Sequence, residues 1–450
     1  MKRIFTMLAA SLTLSTLATD PIIRLITLDP GHFHAALVQK AMYPQVSPQV
    51  HVYAPAGPDL AAHLQRIEGY NSRAENPTRW VESLYAGPDF LDRMCRDKAG
   101  NVAVISGNNR QKTEYIQKAV AAGLNVLADK PMAITPAGFE QLRQTFDLAP
   151  KKRVLLYDIM TERYEATIAM QRELAQMPEL FGALEAGTPE NPGVVMESVH
   201  HFFKQVSGSP LIRPAWFFDA RQQGEAIPDV GTHLVDLVQW QCFPEQILDW
   251  QKDIQVTSAR HWPTSLTRAQ FKQVTGLDSY PEFLKSDVGS DGNLKVQQNG
   301  EVNYTIRGVH AKVTARWNYE APAGGKDTHY ALLHGTRANL VIKQGAEQNY
   351  NPTLYIESVA GAENFAGTVR NAIAKLAVNW PGVEVKTSGK AWEIVVPAKY
   401  NVGHEAHFAQ VTEKYLRCLA EGKIPEWEVA GMLAKYYTTT EAQRLSAKAN

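Results

Sequence analysis

The sequence predicts an α/β protein: a doubly wound parallel sheet in its first part, then an α+β domain built on a large, mostly antiparallel open sheet. Three observations predict it. Short β-branched runs alternate with helical spacing as far as Asp158, while later runs alternate apolar with polar residues. In addition, 450 residues exceed what one ordinary core organises. The expected division is a leader over 1–18, a first domain over 20–158 and a second over 159–450.

IIRLITL at Ile22–Leu28 makes the first strand, DPGHFH breaks it, and AALVQKAMY takes up helical spacing. VHVYA at Val50–Ala54 and VAVIS at Val102–Ser106 are further strands. Helices fall around Ala61–Ile67 and Thr113–Ala122, the latter stopped by Gly123. LNVLADKP gives a buried strand ending in proline, and TPAGFEQLRQTF a helix with Thr135 as N-cap and Pro136 at its first position. RVLLYDIM closes the series. Strands and helices in this alternation specify a parallel sheet covered on both faces.

After Asp158 come a helix over Glu162–Gln176, the strand VVMESVHHFFK and a helix over Asp229–Cys242. DIQVTSAR, EVNYTIRG, HAKVTARWNYE, ANLVIKQG and AWEIVVPA then read as antiparallel strands with one wet face. Helices over His404–Ala420 and Glu428–Ala447 end the chain.

Composition narrows the partners. The 46 Lys and Arg balance the 46 Asp and Glu, so no electrostatic footprint points to nucleic acid or an anionic membrane, and a neutral small molecule is the expected partner. Cys95, Cys242 and Cys418 lie outside any CxxC pair, which suggests neither a zinc cage nor a disulfide framework and leaves any single pairing open. Lys2 and Arg3 precede an apolar run, Ile4–Leu17, and small residues at Thr16 and Ala18. That pattern is a secretory signal peptide cut after Ala18, giving a periplasmic or secreted chain. No other segment has the uninterrupted apolar run of about 20 residues that spans a membrane.

In a doubly wound sheet the loop after the first strand is where a dinucleotide is recognised. Against GxGxxG, residues 29–34 keep only the central glycine, Gly31, and Asp29 sets a carboxylate against phosphate. Ala54 and Pro55 stand where an acidic residue usually holds a ribose. Further on, residues 105–135 resemble the segment that marks the Gfo/Idh/MocA oxidoreductases. Their TPNxxH pattern corresponds to Gly107–Lys112 with an asparagine retained at Asn109, and their EKP to Asp129-Lys130-Pro131. GEAIPDVGTHLVDLVQW is similar to the family's DxGxHxxD helix, with Asp229, Gly231, His233 and Asp236 in register. HEAHFAQVTEKYLRCLAEGKIPEW also resembles a family helix.

The resemblance implies a Rossmann-like first domain that binds NAD or NADP through Gly31, His32, Phe33, Asn109, Asp129 and Lys130, and a homodimer or homotetramer built through the large sheet. It implies a catalytic set of Lys130, His233 and Asp229. The chemistry agrees. Taking hydride from a secondary alcohol needs a base at the hydroxyl, a role suited to His233, and a cation near the oxygen, a role suited to Lys130. Asp229, four residues before His233, can orient the imidazole or bind another hydroxyl. Taken singly, Asp129-Lys130 also fits a surface ion pair, and Asp229 a residue favoured at a helix N-terminus.

His200 and His201 lie on a strand with side chains on opposite faces, so only one can enter a pocket, where it either binds substrate or is a half-buried structural histidine. His32 with His34, and His404 with His407, form pairs without a third ligand at suitable spacing, so no metal site is expected. Trp216, Phe217 and Phe218 either stack on a sugar ring or belong to the core. The resulting expectation is an oxidoreductase acting on a secondary hydroxyl or keto group of a sugar or polyol, with a tightly bound cofactor. Two alternatives stay open: a glycoside hydrolase working by redox-neutral oxidation and elimination, and a non-catalytic carbohydrate-binding protein on the same fold.

Overall fold

A computed structural model describes residues 23–206, 209–359 and 365–449; the leader expected at 1–18 lies outside them. The first sheet contains β1 (Leu25–Leu28), β2 (Gln49–Ala54), β3 (Val81–Ala86), β4 (Val102–Ile105), β5 (Asn125–Asp129) and β6 (Leu156–Ile159). All pairs are parallel, in the order β3-β2-β1-β4-β5-β6. The inner strands β1 and β4, LITL and VAVI, are buried along their whole length, because helices cover both faces. The connecting helices are α1 (His34–Val38), α2 (Pro58–Ser72), α3 (Phe90–Asp97), α4 (Asn109–Ala121) and α5 (Pro136–Lys152). Thr135 caps α5 by accepting from the Gly138 N–H, and Pro136 opens it.

Strand β3 and helix α3 have no counterpart in the sequence reading. VESLYA forms the sheet edge, where most of its residues are exposed or half-buried, so it lacks the apolar run that marks β1 and β4. Strand order reverses between β1 and β4, which opens a crevice at the carboxyl ends of β1, β4 and β5.

The second part contains α6 (Ala166–Ala175), β7 (Val194–His201), a ribbon of β8 (Gln205–Val206) and β9 (Ser209–Pro210), α7 (Ala220–Gln223) and α8 (Gly231–Cys242). It continues with β10 (Ile254–Leu266), α9 (Arg268–Thr275), β11 (Leu294–Ile306), β12 (Val309–Asn318), β13 (Thr328–Leu333), β14 (Ala338–Gln344), β15 (Thr353–Ser358), α10 (Ala366–Asn379), β16 (Glu384–Ser388) and β17 (Ala391–Val395). The nine-stranded sheet runs β10-β11-β12-β7-β13-β14-β15-β17-β16, with only the β12–β7 pair parallel. Helix α8 packs on β7 and β12 and presents its N-terminal end toward the crevice of the first sheet.

Two last helices, α11 (His404–Glu421) and α12 (Glu426–Ala449), return to the first sheet. Phe408, Val411, Tyr415 and Tyr436 join its core, so that core draws on more than residues 20–158. A buried ion cluster fastens the return. Lys435, with no exposed surface, places Nζ 2.7 Å from Asp158 at the end of β6 and 2.8 Å from Asp236 of α8. Arg163 pairs with Asp236 at 2.6 Å and with Glu428 at 2.8 Å. Asp236, the last position of the DxGxHxxD pattern, therefore ties α8 to α12 and to the first sheet and does not line the cavity described below. Among the described residues no helix is long and apolar enough to cross a membrane, and the three cysteines are free thiols.

Candidate active site

The carboxyl ends of β1 and β5, the start of α8 and the face of the large sheet enclose a cavity of about 510 Å³. Lys130 follows directly on β5, and its Nζ donates to Asp229 Oδ1 at 2.7 Å; both side chains are buried. Asp229 Oδ2 accepts from the Gln223 amide at 2.8 Å. His233, in the first turn of α8, lines the same cavity, and its Nδ1 is buried without a partner. Burial, reinforced by the charge of Lys130, pushes its pKa well below the ordinary value, so the imidazole is neutral. Two sheets thus deliver a cation and a neutral base to one space.

Below them lies a second cluster. Asp129, the last residue of β5, is buried and accepts from Nδ1 of His32 at 3.0 Å, from Nδ1 of His34 at 3.1 Å and from Ser106 Oγ at 3.0 Å. Burial lowers the pKa of both imidazoles. Burial also opposes ionisation of Asp129, but the imidazoles outweigh it and hold the carboxyl well below its ordinary range. His32, Phe33 and His34 line the cavity. The expectation that the His32–His34 pair lacks a third ligand does not hold. Asp129, more than ninety residues away, supplies one.

The expected cofactor contacts divide. Phe33 and Lys130 face the cavity, whereas Asp129 spends both oxygens on histidines and Ser106. Asn109 donates to the Gln223 carbonyl at 2.7 Å and accepts from Lys112 at 2.6 Å, so its amide is used in holding α4 against α7. Gly31 lies under a lid of two side chains: a Cβ there would come 3.1 Å from Asp59 Oδ2 and 3.5 Å from the Trp216 ring. Trp216 Nε1 donates to that carboxylate at 3.2 Å. Beside it, burial raises the Asp29 pKa to about 6, with the Tyr115 hydroxyl lowering it and the charge of Asp59 raising it further.

The far wall comes from the large sheet. His200 and His201 both turn their Nδ1 to Asp327, at 3.1 and 2.9 Å, and only His200 lines the cavity. His200 Nε2 lies 2.6 Å from Ser198 Oγ, and its ring stacks on Trp317, its register partner on β12. Lys204 also pairs with Asp327, and Arg213 lies 5.1 Å over the Trp317 ring with its pKa lowered to about 10 by burial. Glu162 lines the cavity too, its carboxyl raised by burial against the opposing charges of His200 and Lys130. Of the aromatic run, Phe217 lines the cavity, Phe218 is core and Trp216 covers Gly31. His404 lines the cavity and His407 is buried behind it.

Sequence reasoning missed Asp327, Lys204, Arg213, Trp317 and Glu162. Asp327 and Trp317 reach the site through strand register, for which no local spacing gives a signal.

Comparison with known proteins adds the following. A family model described as "Oxidoreductase family, NAD-binding Rossmann fold" matches residues 26–157, and one described as "Putative oxidoreductase C terminal domain" matches 170–447. A crystal structure of a "putative oxidoreductase from Parabacteroides merdae ATCC 43184" is 54% identical, with 95% of this chain and 98% of that chain covered at a TM-score of 0.93. Levoglucosan dehydrogenase in complex with NADH and levoglucosan shares the fold at 14% identity, 95% and 98% coverage and a TM-score of 0.58. KijD10, a 3-ketoreductase from Actinomadura kijaniata in complex with NADP, does so at 13% identity, 94% and 96% coverage and 0.55. An uncharacterized oxidoreductase of Schizosaccharomyces pombe is 23% identical over 146 residues, 32% of this chain and 35% of that one, so the chain spans about a third of the length of this curated relative.

Proposed function

The chain belongs to the Gfo/Idh/MocA oxidoreductase family, and from that premise we propose that it interconverts a secondary hydroxyl and a keto group on a sugar or polyol. Its cofactor is NAD or NADP, which when bound takes up or supplies the hydride. The observation that carries the reading is the meeting of Lys130, Asp229 and His233 in one cavity.

The neutral imidazole of His233 takes the hydroxyl proton on oxidation and returns it on reduction. Lys130, held in place by Asp229, donates to the substrate oxygen and stabilises its developing negative charge. The wall of His200 and Arg213, both packed on the Trp317 ring, offers polar groups that suit the hydroxyls of a sugar ring.

The residues present fit the dinucleotide at its nicotinamide end, where Phe33, Lys130 and His233 line open space. They fit the diphosphate once Asp59 and Trp216 part, because the direction a Cβ of Gly31 would take is filled by that pair. Both side chains are half-buried, and a single hydrogen bond joins them. The basic and apolar stretch at Lys2–Leu17 supports export, and an exported enzyme gains from keeping its cofactor bound between turnovers. The large open sheet supports self-association of the chain through its outer face.

The half-buried carboxyl of Glu162, raised by burial and facing the cavity, favours a second reading, glycoside cleavage by transient oxidation, in which a carboxyl serves the leaving oxygen as acid. Release of aglycone from an aryl glycoside without net change in cofactor absorbance identifies that case. For either reaction, Lys130→Met and His233→Ala should keep the fold and bound cofactor, Lys130→Met at some cost in stability because it leaves the buried Asp229 without its cation, while turnover falls about 10²–10⁴-fold. Full turnover in either variant refutes the assignment.

A further inference from the structure

The cluster beneath the reacting pair has a property that the oxidoreductase reading leaves unused. Asp129 is a buried carboxylate with a lysine next to it in sequence and another nearby in space, yet neither ammonium touches it. Lys130 spends its Nζ on Asp229, and Lys112 spends its own on Asn109 Oδ1 at 2.6 Å and on the Lys130 carbonyl. The partners of Asp129 are Nδ1 of His32, Nδ1 of His34 and the Ser106 hydroxyl. Buried charges are paired or coordinate metals, and no ammonium or guanidinium among the described residues sits against this one.

The topology assembles the cluster from three neighbouring strands: His32 and His34 follow β1, Ser106 follows β4 and Asp129 ends β5. The donor atoms of His32, His34 and Asp129 lie within 4.8 Å of one another, with His-to-carboxylate spacings of 3.0 and 3.1 Å. Ligand atoms around one tetrahedral zinc ion are separated by about 3.3 Å, so the imidazoles need only release their protons and draw back from the carboxylate by a few tenths of an ångström to admit an ion. Two imidazoles and one carboxylate are a donor set that first-row divalent ions accept. Both histidines line the cavity, whereas Asp129 lies behind them.

We propose that His32, His34 and Asp129 bind one divalent transition-metal ion in the wall of the cavity, behind the two imidazole rings. The site does not depend on the oxidoreductase reading.

The test uses the chain without its leader, stripped with chelator and free of sugar and added dinucleotide, so that failure here and failure of the oxidoreductase reading are separate results. Zinc(II) titrated calorimetrically should bind at one equivalent per chain. His32→Ala and Asp129→Asn should weaken binding at least about 100-fold, while His200→Ala, which disrupts the other histidine cluster, should leave it unchanged. Should a variant fail to fold, cobalt(II) added to the unaltered protein reports the site by its ligand-field absorption bands. The proposal is overturned if the unaltered protein takes up neither zinc nor cobalt, or if folded His32→Ala and Asp129→Asn bind zinc as tightly as it does.

Discussion

At Gly31 the chain sets two carboxylates, Asp29 and Asp59, beside the place proposed for the dinucleotide's diphosphate. Asp29 carries a pKa of about 6, so it is neutral below that pH and anionic above it. The sign follows: dinucleotide affinity should rise as pH falls through about 6, with uptake of a proton on binding at neutral pH. Fluorescence titration of NAD across that range measures it, and Asp29→Asn should flatten the profile. Asp59→Asn removes a partly exposed charge and should tighten NAD about threefold at neutral pH; weaker binding in that variant contradicts the role given to the Asp59–Trp216 pair. Individual residues were legible where a pattern fixes them. Lys130, Asp229 and His233 each occupy a position whose chemistry is readable from a few neighbours. Asn109 and Asp129 occupy such positions too, but their side chains turn to Gln223 and to the histidines, a choice made by groups about a hundred residues away.

Elements were legible in proportion to how fully they are buried. Strands β1, β4, β5 and β6 are mostly apolar and buried nearly throughout and stand out, whereas the edge strand β3 mixes exposed and half-buried residues and does not. The return of α12 to the first sheet was illegible for another reason. Its docking depends on Lys435 meeting Asp158 and Asp236, three charges that a sequence alone assigns to the surface. Removing the cation leaves two buried carboxylates facing each other, so Lys435→Met should cost about 3 kcal/mol in urea unfolding. An unchanged midpoint would mean that the cluster contributes nothing to holding α12 in place.

Across the whole molecule, function depends on where two sheets meet. The first supplies Lys130 and the Asp129 cluster from strand ends, and the second supplies His233 from a helix resting on β7 and β12 and a wall from Trp317 and His200. Neither sheet alone encloses a site. A crystal structure of the protein with NAD tests this account most directly. The nicotinamide ring is expected among Phe33, Lys130 and His233, with Asp59 and Trp216 moved apart over the diphosphate. A dinucleotide found elsewhere on the surface, or one excluded by a closed Asp59–Trp216 pair at saturating NAD, would contradict it.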